Sequence, residues 1–443
     1  MELTIEKLIY GGDGLARLPA GDDGRRKAAF VQYTLPGETV EAGIVEEKPG
    51  FVRAKVERML APSPDRIAPG CPYFGSCGGC HYQHAKYEHQ LELKKSILRE
   101  TVERIAKTEL PAISVHASPP WHYRNRTRFH IQRTPEFAIG YYRLGSHQLL
   151  PVRECPISAE IINRSLAALW NIGDDLPREL SEVEFFCSNN QQQLMIELWV
   201  SSPPSEVQKN FRPVSDRLRT AVPELIITAI LRKPARGKSF AESVAAPELD
   251  AASNADAPLA AFGQQALAYR AAGFEYRVSP GSFFQTNLFL ADELTRIVTG
   301  ERAGKLALDL YAGVGLFSLA LASSFEHVIA VETAPTSFAD LRHNAPHNVR
   351  AISATTEEFL ATKQNWSPDL VLTDPPRAGL GSTVASALAR LNAPEIGYLS
   401  CDPSTQARDI VPLLKAGYRI SEVHLIDLFP QTYHIESFIR LAR

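Results

Sequence analysis

The chain has 443 residues, 44% of them hydrophobic and 22% charged, with a formal net charge of -3. That length exceeds one ordinary domain and points to about three, each able to bury a core, while the charge excludes a uniformly basic nucleic-acid sleeve. The opening "MELTIEKLIYGG" has neither a basic nor an apolar leader region, and no run approaches the roughly 18 apolar residues of a membrane span, so the expectation is a cytoplasmic protein with no membrane partner.

Residues 1–61 alternate short apolar runs with Gly and Pro turns, which predicts a small antiparallel barrel. "APSPDRIAPG" follows as a linker. A helical pattern over 87–107 places Leu91, Leu98, Val102 and Ile105 on one face. The rest of a central unit, 62–280, returns to β-like runs such as "TRFHIQR" and "LMIELWV"; within it, residues 233–260 are rich in Ala, Ser and Asp and read as an exposed insertion. From 281 to 443, continuous apolar runs ("KLALDLYAG", "HVIAVE", "LVLTDPP", "IGYLSC", "HIESFIRL") are separated by intervals long enough for crossover helices, which predicts a doubly wound, mostly parallel α/β sheet.

Three of the six cysteines, Cys71, Cys77 and Cys80, fall within "CPYFGSCGGC". Without a signal sequence such clustering points to metal or catalysis rather than disulfides. Cys187, in "EFFCSNN", reads as a small buried hydrophobe.

"LDLYAGVGLFSLALA" combines a strand, a Gly turn and a helix start, so Gly313 and Gly315 fit a nucleoside-binding turn. A dinucleotide cradle needs a third Gly where Ser318 stands. Glu332 ends the next strand, where a carboxylate can accept both ribose hydroxyls. Asp374 and Cys401 each end later strands on the same sheet edge, and a thiolate there can act as a nucleophile. Glu436, flanked by apolar residues, fits a base of raised pKa. Between Trp121 and Arg153 six Arg stand against one Glu, a local net of +5 with aromatics interleaved, which predicts an RNA face that includes Arg124, Arg126 and Arg128.

"SFFQTN", "LDLYAGVG", "TDPPRAGL", "LSCDPSTQARD" and "HIES" together resemble the RNA 5-methyluridine methyltransferase family, in the family's order. The front half agrees: residues 1–61 resemble a TRAM domain, and "CPYFGSCGGCHYQHAKYEHQLELKK" resembles the family's iron-sulfur segment. The resemblance implies that Cys401 is the nucleophile and Glu436 the base, and that Gln285, Tyr311, Glu332, Thr355 and Asp374 contact S-adenosylmethionine. It also implies that Cys155 completes a four-cysteine set for a [4Fe-4S] cluster; the four thiolates alone suit zinc equally. Leu316 and Thr355 stand where some relatives have Asn. A monomer acting on 23S ribosomal RNA is the implied form. The alternatives are transfer RNA as substrate, 5-methylcytidine chemistry, a radical S-adenosylmethionine enzyme, whose C-x3-C-x2-C spacing is missing here, and a catalytically silent RNA-binding protein.

Overall fold

The computed structural model describes residues 1–19, 26–201, 205–233, 257–362 and 366–443. The expected insertion at 233–260 falls almost wholly outside the described residues. Among the described residues no helix is long and apolar enough to cross a membrane.

Six short strands between Glu2 and Ala61 form the N-terminal sheet. Period-2 alternation dictates which side chains face inward: Leu3, Ala29, Val31, Val40, Ala42 and Val52 make a small separate core. Its pairing is antiparallel except where Ala28–Val31 runs parallel to Phe51–Ala61.

A seven-stranded sheet forms the centre, running from Leu149–Pro151 at one edge to Ala260–Gly263 at the other. Its middle strands, Leu180–Cys187 and Leu194–Val200, are buried along almost their whole length. The helices Glu160–Ile172 and Val207–Ala221 cover it, contributing Leu166, Leu169, Phe211 and Leu218 to its core.

The C-terminal sheet has eight strands, in the spatial order Val349–Ser353, Phe325–Glu332, Gly304–Leu310, Leu370–Thr373, Glu395–Ser400, Glu436–Ala442, Arg419–Ile426 and Ile113–His116. The first five pair in parallel, as the doubly wound reading expects. The last strand of the chain, Glu436–Ala442, is antiparallel to both its neighbours. One strand comes from outside the expected 281–443 unit: Ile113–His116 pairs in parallel with Arg419–Ile426 and covers its otherwise unpaired edge.

The predicted helix spans Tyr87–Ala106. Its buried face is Leu93, Ile97, Leu98 and Val102, rotated from the expected one because Leu91 and Ile105 are only half-buried. It packs against the helix Pro403–Lys415 of the C-terminal unit. Two polar side chains on this helix hold the segment leading into the final strand. Lys94 Nζ lies 2.6 Å from Asp427 Oδ1 and donates to the Phe429 carbonyl at 2.9 Å, with both ionic groups fully buried. The Gln90 amide exchanges two bonds with Gln431, at 2.9 and 3.0 Å. Gln431 in turn accepts, through its carbonyl, the backbone N–H groups of His81 and Tyr82. The cysteine segment, the helix and the approach to Glu436 thereby form one hydrogen-bonded unit.

Truncating one member of a buried ion pair leaves the other charge uncompensated, at a cost of about 3–5 kcal/mol. Lys94→Ala is therefore expected to lower the unfolding free energy by about that amount, seen as a lower urea midpoint. An unchanged midpoint would show that the pair does not hold the two segments together.

Candidate active site

The carboxyl edge of the parallel strands collects the residues singled out in the sequence. After Gly304–Leu310 the chain turns through Tyr311, Gly313 and Gly315, all at positive φ. A Cβ on Gly315 would also sit 2.9 Å from Leu341 Cδ1, so that side chain would have to shift to admit it. Glu332, ending the adjacent strand, ties this turn down: Oε2 accepts the Gly313 N–H at 2.8 Å, and Oε1 accepts those of Thr333 and Ala334 at 2.7 and 2.6 Å. Burial raises its pKa against the lowering effect of those bonds. Ser318, where a dinucleotide site would need Gly, donates to Asp309 Oδ2 at 2.5 Å. Asp309 is buried with Oδ1 lacking a hydrogen bond, and burial pushes its pKa up to about 7.

Tyr311 stands beside Thr356, and burial raises its phenol to about 12. Thr355 follows the strand Val349–Ser353, but its hydroxyl is used locally: it accepts the Glu358 N–H at 3.1 Å while Glu358 accepts the Thr355 N–H at 3.0 Å, a capping box on the helix Thr356–Ala361. Gln285 is half-buried in the segment before the helix Ala291–Thr299, with its carbonyl accepting from Asn125 Nδ2 at 3.0 Å. Asn287, the last residue of "SFFQTN", is fully buried and donates through Nδ2 to the Leu428 carbonyl at 3.0 Å, tying this segment to the stretch before the last strand. Its neighbour Asn125 gave no sequence signal, because a lone Asn in a β-like run has no pattern.

Register brings Cys401 and Glu436 to one rim. Ser400 faces Ser437 across the antiparallel pair, so Cys401 and Glu436 leave neighbouring strands at the same rim. Gln406 secures the pairing, accepting from Ser437 Oγ at 2.7 Å and donating to the Tyr398 carbonyl at 2.9 Å. Cys401 is half-buried and outside any disulfide. Asp402 caps the following helix by accepting the Ser404 and Thr405 N–H groups at 2.9 and 3.1 Å. Glu436 is buried, and its pKa is raised well above the usual carboxylate range by burial and then by the charge of Asp374. Asp374, at the end of Leu370–Thr373, is raised by burial and by Asp309. A thiol and a buried carboxyl of raised pKa at one rim are suited to nucleophilic addition followed by proton removal by the ionised carboxylate.

Residues 260–443 match the family model described as tRNA (Uracil-5-)-methyltransferase, and residues 1–56 match the TRAM domain. An uncharacterized RNA methyltransferase of Aquifex aeolicus is 33% identical over all of this chain and 98% of its own length. The 23S rRNA (uracil(1939)-C(5))-methyltransferase RlmD of Shewanella amazonensis is 30% identical over 98% of this chain and 94% of its own. The chain belongs to the RNA uracil-5-methyltransferase family. The crystal structure of Pyrococcus abyssi tRNA (uracil-54, C5)-methyltransferase in complex with S-adenosyl-L-homocysteine shares the fold over the full length of both chains, with a TM-score of 0.72 at 24% identity.

In this methyltransferase the four expected ligand cysteines lie within electrostatic reach of one another, none in a disulfide. Burial raises the thiols of Cys71, Cys77 and Cys80, that of Cys77 to about 12, and the proximity of Cys155 raises all three further. Among the described residues no three Cys, His, Asp or Glu side chains converge on a position for a single metal ion. Asn163 fixes Cys155 through both backbone groups, accepting its N–H at 2.9 Å and donating to its carbonyl at 3.1 Å.

The expected RNA face is corrected by the fold. Arg126 is buried, with Nε 2.5 Å from Glu184, Nη2 3.4 Å from Glu197 and Nη1 donating to the Ser282 carbonyl at 2.7 Å. Arg128 lies 2.7 Å from Glu184 and 3.6 Å from Glu182, over the Trp199 ring. The acids come from neighbouring strands, so counting charge along one strand missed the cross-strand neutralisation. Arg124 is also buried, but its Nε and Nη2 have no hydrogen-bond partner. Cys77 and Cys80 lie within electrostatic reach of its positive charge.

Proposed function

We propose that this methyltransferase uses S-adenosylmethionine to methylate C5 of a uridine in 23S ribosomal RNA, with Cys401 as nucleophile and Glu436 as base. The observation that carries the reading is the Ser400–Ser437 register, which sets Cys401 and Glu436 at one rim beside Asp374. The choice of ribosomal RNA follows the Shewanella relative, which aligns over nearly the whole chain. A cytoplasmic monomer is the form we infer.

The methyl donor is a substrate whose sulfonium supplies an electrophilic methyl group. The turn Tyr311–Gly315 and the carboxylate of Glu332 would hold its nucleoside, with Gln285 and Asp374 at the methyl end. Thr355 would contribute through its neighbouring backbone, since its hydroxyl is engaged in the cap.

Uracil C5 is a weak nucleophile. Addition of the Cys401 thiolate to C6 forms an S–C6 bond and leaves enolate character at C5, which can then take the methyl group in line. Glu436 removes the C5 proton, the C5=C6 double bond re-forms, and the Cys401 thiolate leaves. In its ionised form a carboxylate of raised pKa is the stronger base, and the proton it takes is released to solvent before the next turnover. The target base must leave its stack to reach this rim, so a loop or flipped nucleotide is the expected substrate.

Cys71, Cys77, Cys80 and Cys155 would hold a [4Fe-4S] cluster. Four thiolates there would carry negative charge into a buried region, and the guanidinium of Arg124, whose Nε and Nη2 lack a hydrogen-bond partner, is a complementary charge in reach. The cluster's part is structural: it ties residues 71–80 to the central sheet.

With a 23S ribosomal RNA transcript and methyl-labelled donor, the parent protein is expected to yield labelled 5-methyluridine. Glu436→Gln is expected to stop after methyl transfer, leaving RNA covalently attached to the protein and turnover at least about 100-fold lower. Product recovered as 5-methylcytidine, or full turnover by Glu436→Gln, would sink the proposal. Protein purified without air is expected to be brown, absorbing near ~400 nm, and to lose RNA binding or folding in Cys77→Ala. A colourless protein with stoichiometric zinc would refute the cluster.

A further inference from the structure

The turn "YGGDG" of the N-terminal sheet lies against the reaction centre instead of facing solvent. It is closed by Ile9 N–H to the Asp13 carbonyl at 3.0 Å and Gly12 N–H to the Ile9 carbonyl at 3.1 Å. A Cβ on Gly12 would come within 3.2 Å of His81 Cβ and 3.5 Å of Tyr433 Cβ. The Tyr10 ring meets the Tyr433 ring edge-on, with centroids 5.7 Å apart. Beyond that ring contact, the Tyr10 hydroxyl donates to the backbone carbonyl of Cys401 at 3.2 Å.

Cys401 is the residue between two rigid elements: the strand pairing ends at Ser400–Ser437, and the helix starts at Pro403 with Asp402 as its cap. The peptide plane joining Cys401 to Asp402 is held from both sides. Its N–H donates to Ser400 Oγ at 3.2 Å, and its carbonyl accepts from Tyr10. Arg377, 3.7 Å from Asp402, completes the brace. Burial raises the Tyr10 pKa, so the hydroxyl keeps its proton and remains a donor at every working pH.

We propose that Tyr10 is a positioning residue for methyl transfer: by fixing the Cys401 carbonyl it sets the direction in which the Cys401 thiol approaches uracil C6. The N-terminal sheet thus takes part in the geometry of the chemical step. This rests on the reading of Cys401 as nucleophile. A near-attack geometry is sensitive to shifts of about 1 Å, so one hydrogen bond at the nucleophile's own peptide is enough to be seen in the rate.

Tyr10→Phe keeps the ring against Tyr433 and removes only the hydroxyl. Single-turnover methylation of a 23S ribosomal RNA transcript is expected to slow about five- to tenfold per folded molecule, with RNA affinity and Tm unchanged. Tyr10→Leu, which also loses the ring contact, is expected to be slower still at the same RNA affinity. An unchanged rate in Tyr10→Phe overturns the proposal. So does weaker RNA binding with an unchanged rate at saturating RNA, which would make Tyr10 a substrate contact. If Cys401→Ala methylates the transcript as fast as the parent, the reading of Cys401 fails instead.

Discussion

The meeting of Cys401 and Glu436 at one rim depends on one constraint, the antiparallel insertion of the chain's last strand, Glu436–Ala442, between Glu395–Ser400 and Arg419–Ile426. A parallel strand would enter from the opposite end of the sheet and carry its first residue away from the ligand edge. Because this strand runs the other way, its first residue, Glu436, starts at the rim where Cys401 ends its own. A one-residue slip in register would turn every side chain to the other face, and Gln406 and Ser437 lock the pairing against it.

Three parts of the chain distant in sequence stabilise that rim. The helix Tyr87–Ala106 grips residues 427–431 through Lys94 and Gln90. The cysteine segment reaches the same stretch through His81 and Tyr82. The N-terminal sheet adds Tyr10 at the Cys401 turn. Segments outside the C-terminal sheet's carboxyl edge thereby fix where Glu436 and Cys401 stand, which gives the front half of the protein a part in the geometry of that rim.

Much of this was legible in the sequence. Long apolar runs marked the parallel strands, and the rule that ligands gather at their carboxyl ends singled out Glu332, Asp374 and Cys401 without any distance. Other features were hidden because their cause lies across strands. Arg126 and Arg128 looked like a basic face until Glu182, Glu184 and Glu197 arrived from neighbouring strands. The short edge strand Ile113–His116 has no pattern that assigns it to the C-terminal sheet. Thr355 is different, since "TTEE" carries the Thr-x-x-Glu signature of a capping box and its local role was there to be read.

The most direct test of the account is the covalent bond between Cys401 and uracil C6. RNA carrying 5-fluorouridine at the target position, incubated with the protein and S-adenosylmethionine, leaves no C5 proton for Glu436 to remove, so the adduct cannot resolve. The account predicts an RNA-linked protein stable to denaturation, with the link mapped by mass spectrometry to the peptide that contains Cys401, and no such species from Cys401→Ala. An equal yield of linked RNA from Cys401→Ala would contradict it.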